Sequence, residues 1–314
     1  MRPARGYGQP GGFTVMLVME RHAAVVQAIY ESCSVEIHAL KPGNVSRFAG
    51  GHGMTADDFL RSAELTAPIL GAPGLSVGER VLRSVEATQA AVACNTNLGI
   101  ILLVAPLSQA VLLETGGTNL RDRLIRVLEA LDRRDAEDAF KAIRLAAPAG
   151  LGHSKRHDVN FSPKASLQEA MEAAQQRDRI AYQYASGYDD IFRFGVPCIV
   201  EHIRRYNSVE WAVVACYLGF LARFPDTHIQ RKFGEEAAAR IHTMAGPVEA
   251  RFQAYKNPES AIPLLLEFDQ RLKHAGINPG TSADLTVASQ LAVQFEDLLK
   301  HGFTGRRAAT LAAG

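Results

Sequence analysis

What this chain has little of narrows its class before any motif is read. Cysteine is scarce: Cys33, Cys94, Cys198 and Cys216 are the only four in 314 residues, scattered among apolar neighbours with no Cys-x-x-Cys pair. That excludes a disulfide framework and a zinc motif, and fits reduced core thiols in a cytoplasmic protein. An excess of one charge is missing too. With 34 Lys and Arg against 33 Asp and Glu the net charge is +1, so bulk electrostatics gives no reason to expect a nucleic acid partner. The longest apolar run, Leu98 to Leu113, covers about 16 residues, carries Pro106, Ser108 and Gln109, and falls short of the ~20 a bilayer needs. It reads as a buried core helix, and no membrane partner is expected. No Walker A loop, GxGxxG turn or GxSxG elbow is present, nor any 30- to 50-residue repeat or linker.

What is present is helical period almost throughout. Val26, Ile29, Tyr30, Cys33 and Ile37 recur at three- and four-residue steps, predicting an amphipathic helix over ~19 to 38 that Lys41-Pro42-Gly43-Asn44 ends. Thr55-x-x-Asp58, Ser76-x-x-Glu79 and Ser166-x-x-Glu169 are capping-box patterns, the last predicting a long helix with Arg177-Asp178-Arg179 in its middle. Asn119 and Asp135 begin two short charged helices, and Trp211 to Phe224 is a second strongly apolar one. Residues 235 to 255 read as two helices meeting near Met244. With no strand pair or hairpin turn, the expectation is a single all-α domain of about ten to thirteen helices over 16–303. A Gly- and Pro-rich flexible extension over 1–15 and a flexible tail over 304–314 would flank it.

The polar groups that carry chemistry cluster at helix ends. Asn95-Thr96-Asn97 stands at the mouth of the apolar helix, where amides and hydroxyls need protein partners or a ligand. Glu36 precedes Lys41-Pro42-Gly43-Asn44, and His52 follows. Asp226-Thr227-His228 leads into Arg231-Lys232, and Pro279-Gly280-Thr281-Ser282-Ala283-Asp284 opens the last helix, where free N–H groups could cradle phosphate. Residues 148 to 165, with His153, Lys155, Arg156, His157 and Asp158, form the one long polar loop and would suit a lid over an anionic ligand. Each cluster alone also has a plainer reading as a cap or a solvated face.

Together these blocks resemble the triphosphoribosyl-dephospho-coenzyme A synthase family. That family shows an early Glu, then Lys-Pro-Gly; Asn-Thr-His-Lys-Gly before an apolar helix; Asp-Thr-Asn; and a late Ser-Pro-Gly-Gly-Ser-Ala-Asp. The counterparts are Glu36, Lys41-Pro42-Gly43, Asn95-Thr96-Asn97-Leu98-Gly99, Asp226-Thr227-His228 and Asn278-Pro279-Gly280-Thr281-Ser282-Ala283-Asp284, spread in order over about 250 residues. The family's His-Lys is Asn97-Leu98 here, Gly53 replaces a carboxylate expected after His52, and Thr281 replaces the second Gly of the late block. With Arg177-Asp178-Arg179-Ile180-Ala181-Tyr182, this pattern looks like the divergent branch of archaea and of methylotrophs that use tetrahydromethanopterin.

The resemblance implies an all-helical transferase that uses ATP as ribosyl donor and, as Mg²⁺ needs only one or two carboxylates plus substrate phosphates, a magnesium cofactor. A hydroxyl of 3'-dephospho-coenzyme A would attack the anomeric carbon as adenine leaves. Such a reaction asks for an anion beside the sugar, an acid near the base and cations on the phosphates. On that reading Asp226 and Asp284 bind Mg²⁺ or stabilise the sugar cation, and Glu36 is general base. His52 or His228 protonates the leaving base. Lys41, Gly43, Arg231 and Lys232 surround the phosphates with Pro279, Gly280, Thr281 and Ser282, and Asn95, Thr96 and Asn97 hold purine or ribose. Two alternatives stand beside it: phosphoribosyl-type transfer to a ribitol or sugar hydroxyl in tetrahydromethanopterin biosynthesis, and a helical module binding nucleotide or pterin without turnover. A homo-oligomer is compatible with this composition.

Overall fold

The computed structural model describes residues 11–47, 53–114, 117, 119–154 and 156–303, with side chains from residue 19 onward. Within these residues the chain is all-α. It has fourteen α-helices: α1 (Gly11–His38), α2 (Ala56–Leu70), α3 (Val77–Val92), α4 (Leu98–Leu112), α5 (Leu120–Glu129), α6 (Arg133–Ala146), α7 (Leu167–Ala174), α8 (Arg179–Ser186), α9 (Val196–Tyr206), α10 (Val209–Leu221), α11 (Thr227–Phe233), α12 (Glu235–Ala254), α13 (Ile262–His274) and α14 (Gly280–His301). No helix among them is long and apolar enough to cross a membrane.

The count exceeds the expected ten to thirteen for local reasons. The helix begun by the Ser166–Glu169 capping box stops after Ala174, and Asp178 restarts it by accepting the N–H groups of Ile180 and Ala181, so the predicted long helix is two short ones. Asp178 is thus a cap and not a mid-helix residue, a role open to any Asp with a free turn before it. In the opposite direction, α12 runs unbroken through Pro247 from Glu235 to Ala254, replacing the two helices expected there. Likewise α6 is capped by Asp132, with Asp135 as the reciprocal partner three residues on.

Two apolar helices form the centre. Nearly all of α4 is buried, as is α10 from Ala212 to Leu221. Burying each large aliphatic side chain is worth roughly 1.5–3 kcal/mol, enough to outweigh the ~3 kcal/mol that a proline inside a helix costs. Pro106 lacks the N–H that would bond Leu102. The orphaned Leu102 carbonyl instead accepts the Tyr184 hydroxyl at 2.7 Å, and Tyr188 reaches the next carbonyl, Leu103, at 3.0 Å. The proline so fixes where α8 docks on α4. Between the two apolar helices lies α14, packed against α1, α4 and α10. Its buried Thr286 and Ser289 turn their hydroxyls onto carbonyls one turn back, Ser282 and Leu285, so they bring no unmet polar group into the core.

Candidate active site

The Lys-Pro-Gly-Asn turn after α1 is a clip. Lys41 is fully buried and its ammonium pairs with Glu36 at 2.9 Å, donating also to the Asn44 side chain and the Val45 carbonyl. Pro42 offers its carbonyl to the Tyr217 hydroxyl at 2.6 Å, and Asn44 donates to Asn278 at 2.9 Å. Gly43 sits at φ +83°, donates to Asp269, and has Leu272 so close that a Cβ would lie 2.8 Å from it. Only glycine meets both demands.

The central block is divided between structure and cavity. Asn95 accepts the Leu98 N–H, Thr96 shares a 2.7 Å hydrogen bond with Ser62, and Asn97 accepts from Thr88 at 3.3 Å. Gly99, in the first turn of α4, lies against the Asp284 carboxylate: a Cβ there would be 2.0 Å from an oxygen. Two blocks 185 positions apart in sequence thus touch through the one residue that has no side chain.

Asp226 clasps α11 to α14. One oxygen accepts the His228 and Ile229 N–H groups at 2.9 and 3.2 Å, and the other accepts both the N–H and the hydroxyl of Ser282 at 2.8 Å. Thr227 and Thr281 share a hydrogen bond at 3.1 Å, and the His228 N–H also reaches Thr281. The His228 ring lies on Gly280, where a Cβ would come within 2.4 Å of Nδ1.

These clips bring α1, α4, α11 and α14 to one cavity of about 550 Å³. Of the expected residues, Glu36, Asn95, Thr96, His228, Arg231, Gly280, Thr281 and Asp284 line it. Lys41, Gly43, Asn97, Asp226, Lys232, Pro279 and Ser282 do not; they lie behind the lining or beside it, and His52 falls outside the described residues. Three lining residues stand in the sequence blocks without a role assigned to them: Asn44 and Asn278, which link the clip to the late block, and Arg177, at the turn before α8. Other lining residues carry no sequence signal. Phe140, Ile143, Leu167, Met171 and Ile180 make an apolar wall from α6, α7 and α8. Apolar residues at helical spacing look the same in sequence whether they face a packed core or a cavity.

Around Asp284 the charged neighbours are mostly acids. Burial raises the Glu36 pKa, with Lys41 pulling it back down. Burial also lifts Asp284 well above the carboxylate range, aided by the negative charges of Glu36, Asp226 and Asp178, while Arg231 opposes the rise. Asp284 makes no hydrogen bond or ion pair among the described residues. The side chain is only partly buried and opens on the cavity, where a carboxylate held off from water without a donor is costly unless a ligand completes it. No group of three or more His, Cys, Asp or Glu poised to hold a metal ion occurs among the described residues.

A family model described as CitG, ATP:dephospho-CoA triphosphoribosyl transferase, matches residues 22–303. The chain belongs to that family. Among solved structures, that of a candidate triphosphoribosyl-dephospho-coA synthase from Archaeoglobus fulgidus is similar at 27% identity and a TM-score of 0.59, covering 76% of this chain and 98% of its own. No protein of curated function matches. As a member of the CitG family the chain is an enzyme, which sets aside the non-catalytic module. The family match spans α2 to α14 entirely, so every wall of the cavity belongs to the part of the chain that carries the family pattern.

Proposed function

We propose that this enzyme moves the triphosphoribosyl unit of ATP onto a hydroxyl of 3'-dephospho-coenzyme A, releasing adenine. The observation that carries the reading is the convergence of Glu36, Asn95, Thr96, His228, Arg231 and Asp284, from separated family blocks, on one cavity. In the transfer the acceptor oxygen bonds to the anomeric carbon as the bond from that carbon to the purine nitrogen breaks. The acceptor's proton goes to a base, and a proton reaches the departing adenine. Glu36, its charge steadied by Lys41, takes the first proton, and His228 supplies the second. Asp284 faces the positive charge that develops on the sugar, as a carboxylate whose charge no protein donor offsets. Asn95 and Thr96 hold ribose or purine. Asp226, with Ser282, keeps α11 and α14 together and positions His228.

The donor set fits a hard cation. Asp284, with Glu36 near it, offers carboxylate oxygen, and Mg²⁺ commonly takes one or two carboxylates and leaves its other positions to substrate phosphates and water. Bound there, Mg²⁺ would supply charge neutralisation on the polyphosphate.

A second acceptor, a ribitol or sugar hydroxyl of a tetrahydromethanopterin precursor, is favoured by one observation. Leu98 lines the cavity where the family pattern carries Lys, so the donor or acceptor phosphates meet a different surface. Chromatography for free adenine after incubation with ATP, Mg²⁺ and each acceptor separates the two. Release that needs dephospho-coenzyme A supports the first reading. No release with it, but release with the pterin precursor, supports the second.

A further inference from the structure

The loop between α6 and α7 roofs the cavity. Ala149, His153, Ser154, His157, Asp158 and Val159 all line it. The loop is organised around Asp158, which accepts the N–H groups of Ser154 and Asn160, the Asn160 amide and the His153 ring. Its charge is therefore spent within the loop. Arginines tie the loop down from three sides: Arg144 donates to the Val159 carbonyl, Arg177 to the Ser154 hydroxyl at 3.0 Å, and Arg231 to the Ala149 carbonyl at 3.1 Å. Gly150, at φ +74°, is pressed so closely on the Arg231 backbone that a Cβ would lie 2.3 Å from its carbonyl oxygen.

Of the basic groups of this roof that line the cavity among the described residues, two are not matched by an acid in contact. Arg231 pairs with Asp178 at 3.3 Å, and His153 with Asp158 at 3.3 Å. The Arg177 guanidinium, in contrast, donates only to the Ala173 carbonyl and the neutral Ser154 hydroxyl, and it lines the cavity. His157 also lines it, its ring in no hydrogen bond among the described residues, with Glu169 within electrostatic reach. His157 is held at φ +50°, a left-handed conformation unusual for a residue with a side chain. Such strain is retained where surrounding structure or function requires it. The family's central cation is absent, as Leu98 occupies its place in the lining.

We propose that Arg177 and His157, with Arg231 behind them, form a subsite for a linear polyphosphate under the 147–166 loop, replacing the cation that the central block lacks. Arg177 contributes the planar fork that suits phosphate oxygens, and His157 a ring N–H donor. The subsite deepens the reading of the cavity as a nucleotide site but does not depend on the transfer itself. Its ligand is either the triphosphate of the donor or the diphosphate of the acceptor, which share this chemistry.

Inorganic tripolyphosphate titrated calorimetrically into the full chain tests it, alongside pyrophosphate. Arg177→Ala is expected to weaken tripolyphosphate binding about ten-fold, the size of one charge-assisted contact facing solvent. His157→Asn, which keeps a residue tolerant of the left-handed backbone, is expected to weaken it several-fold. Arg251→Ala, on the exposed face of α12, is expected to leave it unchanged. Unaltered binding in both Arg177→Ala and His157→Asn overturns the proposal, as does an equal loss in Arg251→Ala. In turnover, a raised KM for ATP in Arg177→Ala assigns the subsite to the donor, and a raised KM for the acceptor assigns it to the acceptor. Adenine release with both KM values unchanged overturns the subsite while leaving the transfer standing. Arg177-dependent tripolyphosphate binding without any adenine release upholds the subsite while the transfer fails.

Discussion

Asp226 and Asp284 stand 58 positions apart, each at the start of a helix or one turn into it, yet the structure treats them oppositely. Asp226 accepts four hydrogen bonds across two helices and does not line the cavity; Asp284 lines it and accepts none among the described residues. The difference teaches where stability and function separate in this molecule. A carboxylate saturated by N–H donors is part of the frame, and one held against Gly99 without a donor is a group kept ready for a ligand.

The sharpest way to break this contrast is to truncate the saturated member. Asp226→Ala removes a helix cap and strands the buried N–H and hydroxyl of Ser282. It is expected to cost roughly 3–5 kcal/mol, read as a lowered midpoint of denaturant unfolding. An unfolding midpoint close to wild type would mean that the clasp contributes little.

Asp284→Asn is expected to do the reverse to stability. Its folded pKa is raised, so between the unfolded value of about 4 and the folded value the native state binds more protons than the unfolded one. Wild-type stability contributed by this group is therefore present at low pH and lost as pH rises through that window. The asparagine variant escapes the loss, so it should unfold at higher denaturant than wild type above the window and equally with it below about pH 4. A destabilised variant at neutral pH would show that Asp284 has partners in the native state.

Gly99→Ala perturbs the same carboxylate from the other side. The added methyl must push Asp284 or α4 aside, with an expected cost of about 1–3 kcal/mol and a fall in turnover. Retained turnover and stability would mean that the contact is easily relaxed. The smallest effect is expected from Tyr184→Phe, which leaves the Leu102 carbonyl without a donor and should cost about 1–2 kcal/mol, lowering the thermal midpoint without altering catalysis through the clasp.

Much of this contrast was hidden in the sequence, and the reason is physical. The all-helical class, the apolar α4 and α10 and the capping boxes at Thr55, Ser76 and Ser166 were legible because each follows from neighbours within a turn or two. The end of α7 was not, since Arg177-Asp178-Arg179 has ordinary helix-forming neighbours and only the packing of α8 on α4 through Tyr184 shows that the chain restarts there. Lys41 reads as a phosphate ligand because the reaction the resemblance implies asks for cations there; its burial against Glu36 goes with contacts of the same turn to Asn278 and Asp269, over 220 residues away. The gathering of helix ends at one cavity was expected from the resemblance. Which aspartate faces inward was not, because both read alike at the start of a helix and only the contact between α11 and α14 tells them apart.

Adenine release from ATP by Asp284→Asn, assayed beside the wild type with Mg²⁺ and dephospho-coenzyme A, goes most directly to the role of the unpartnered carboxylate. A variant as well folded as the wild type is expected to turn over some 10²- to 10³-fold more slowly, the usual loss when one charge-stabilising group is removed from a transition state. Turnover at the wild-type rate would contradict it.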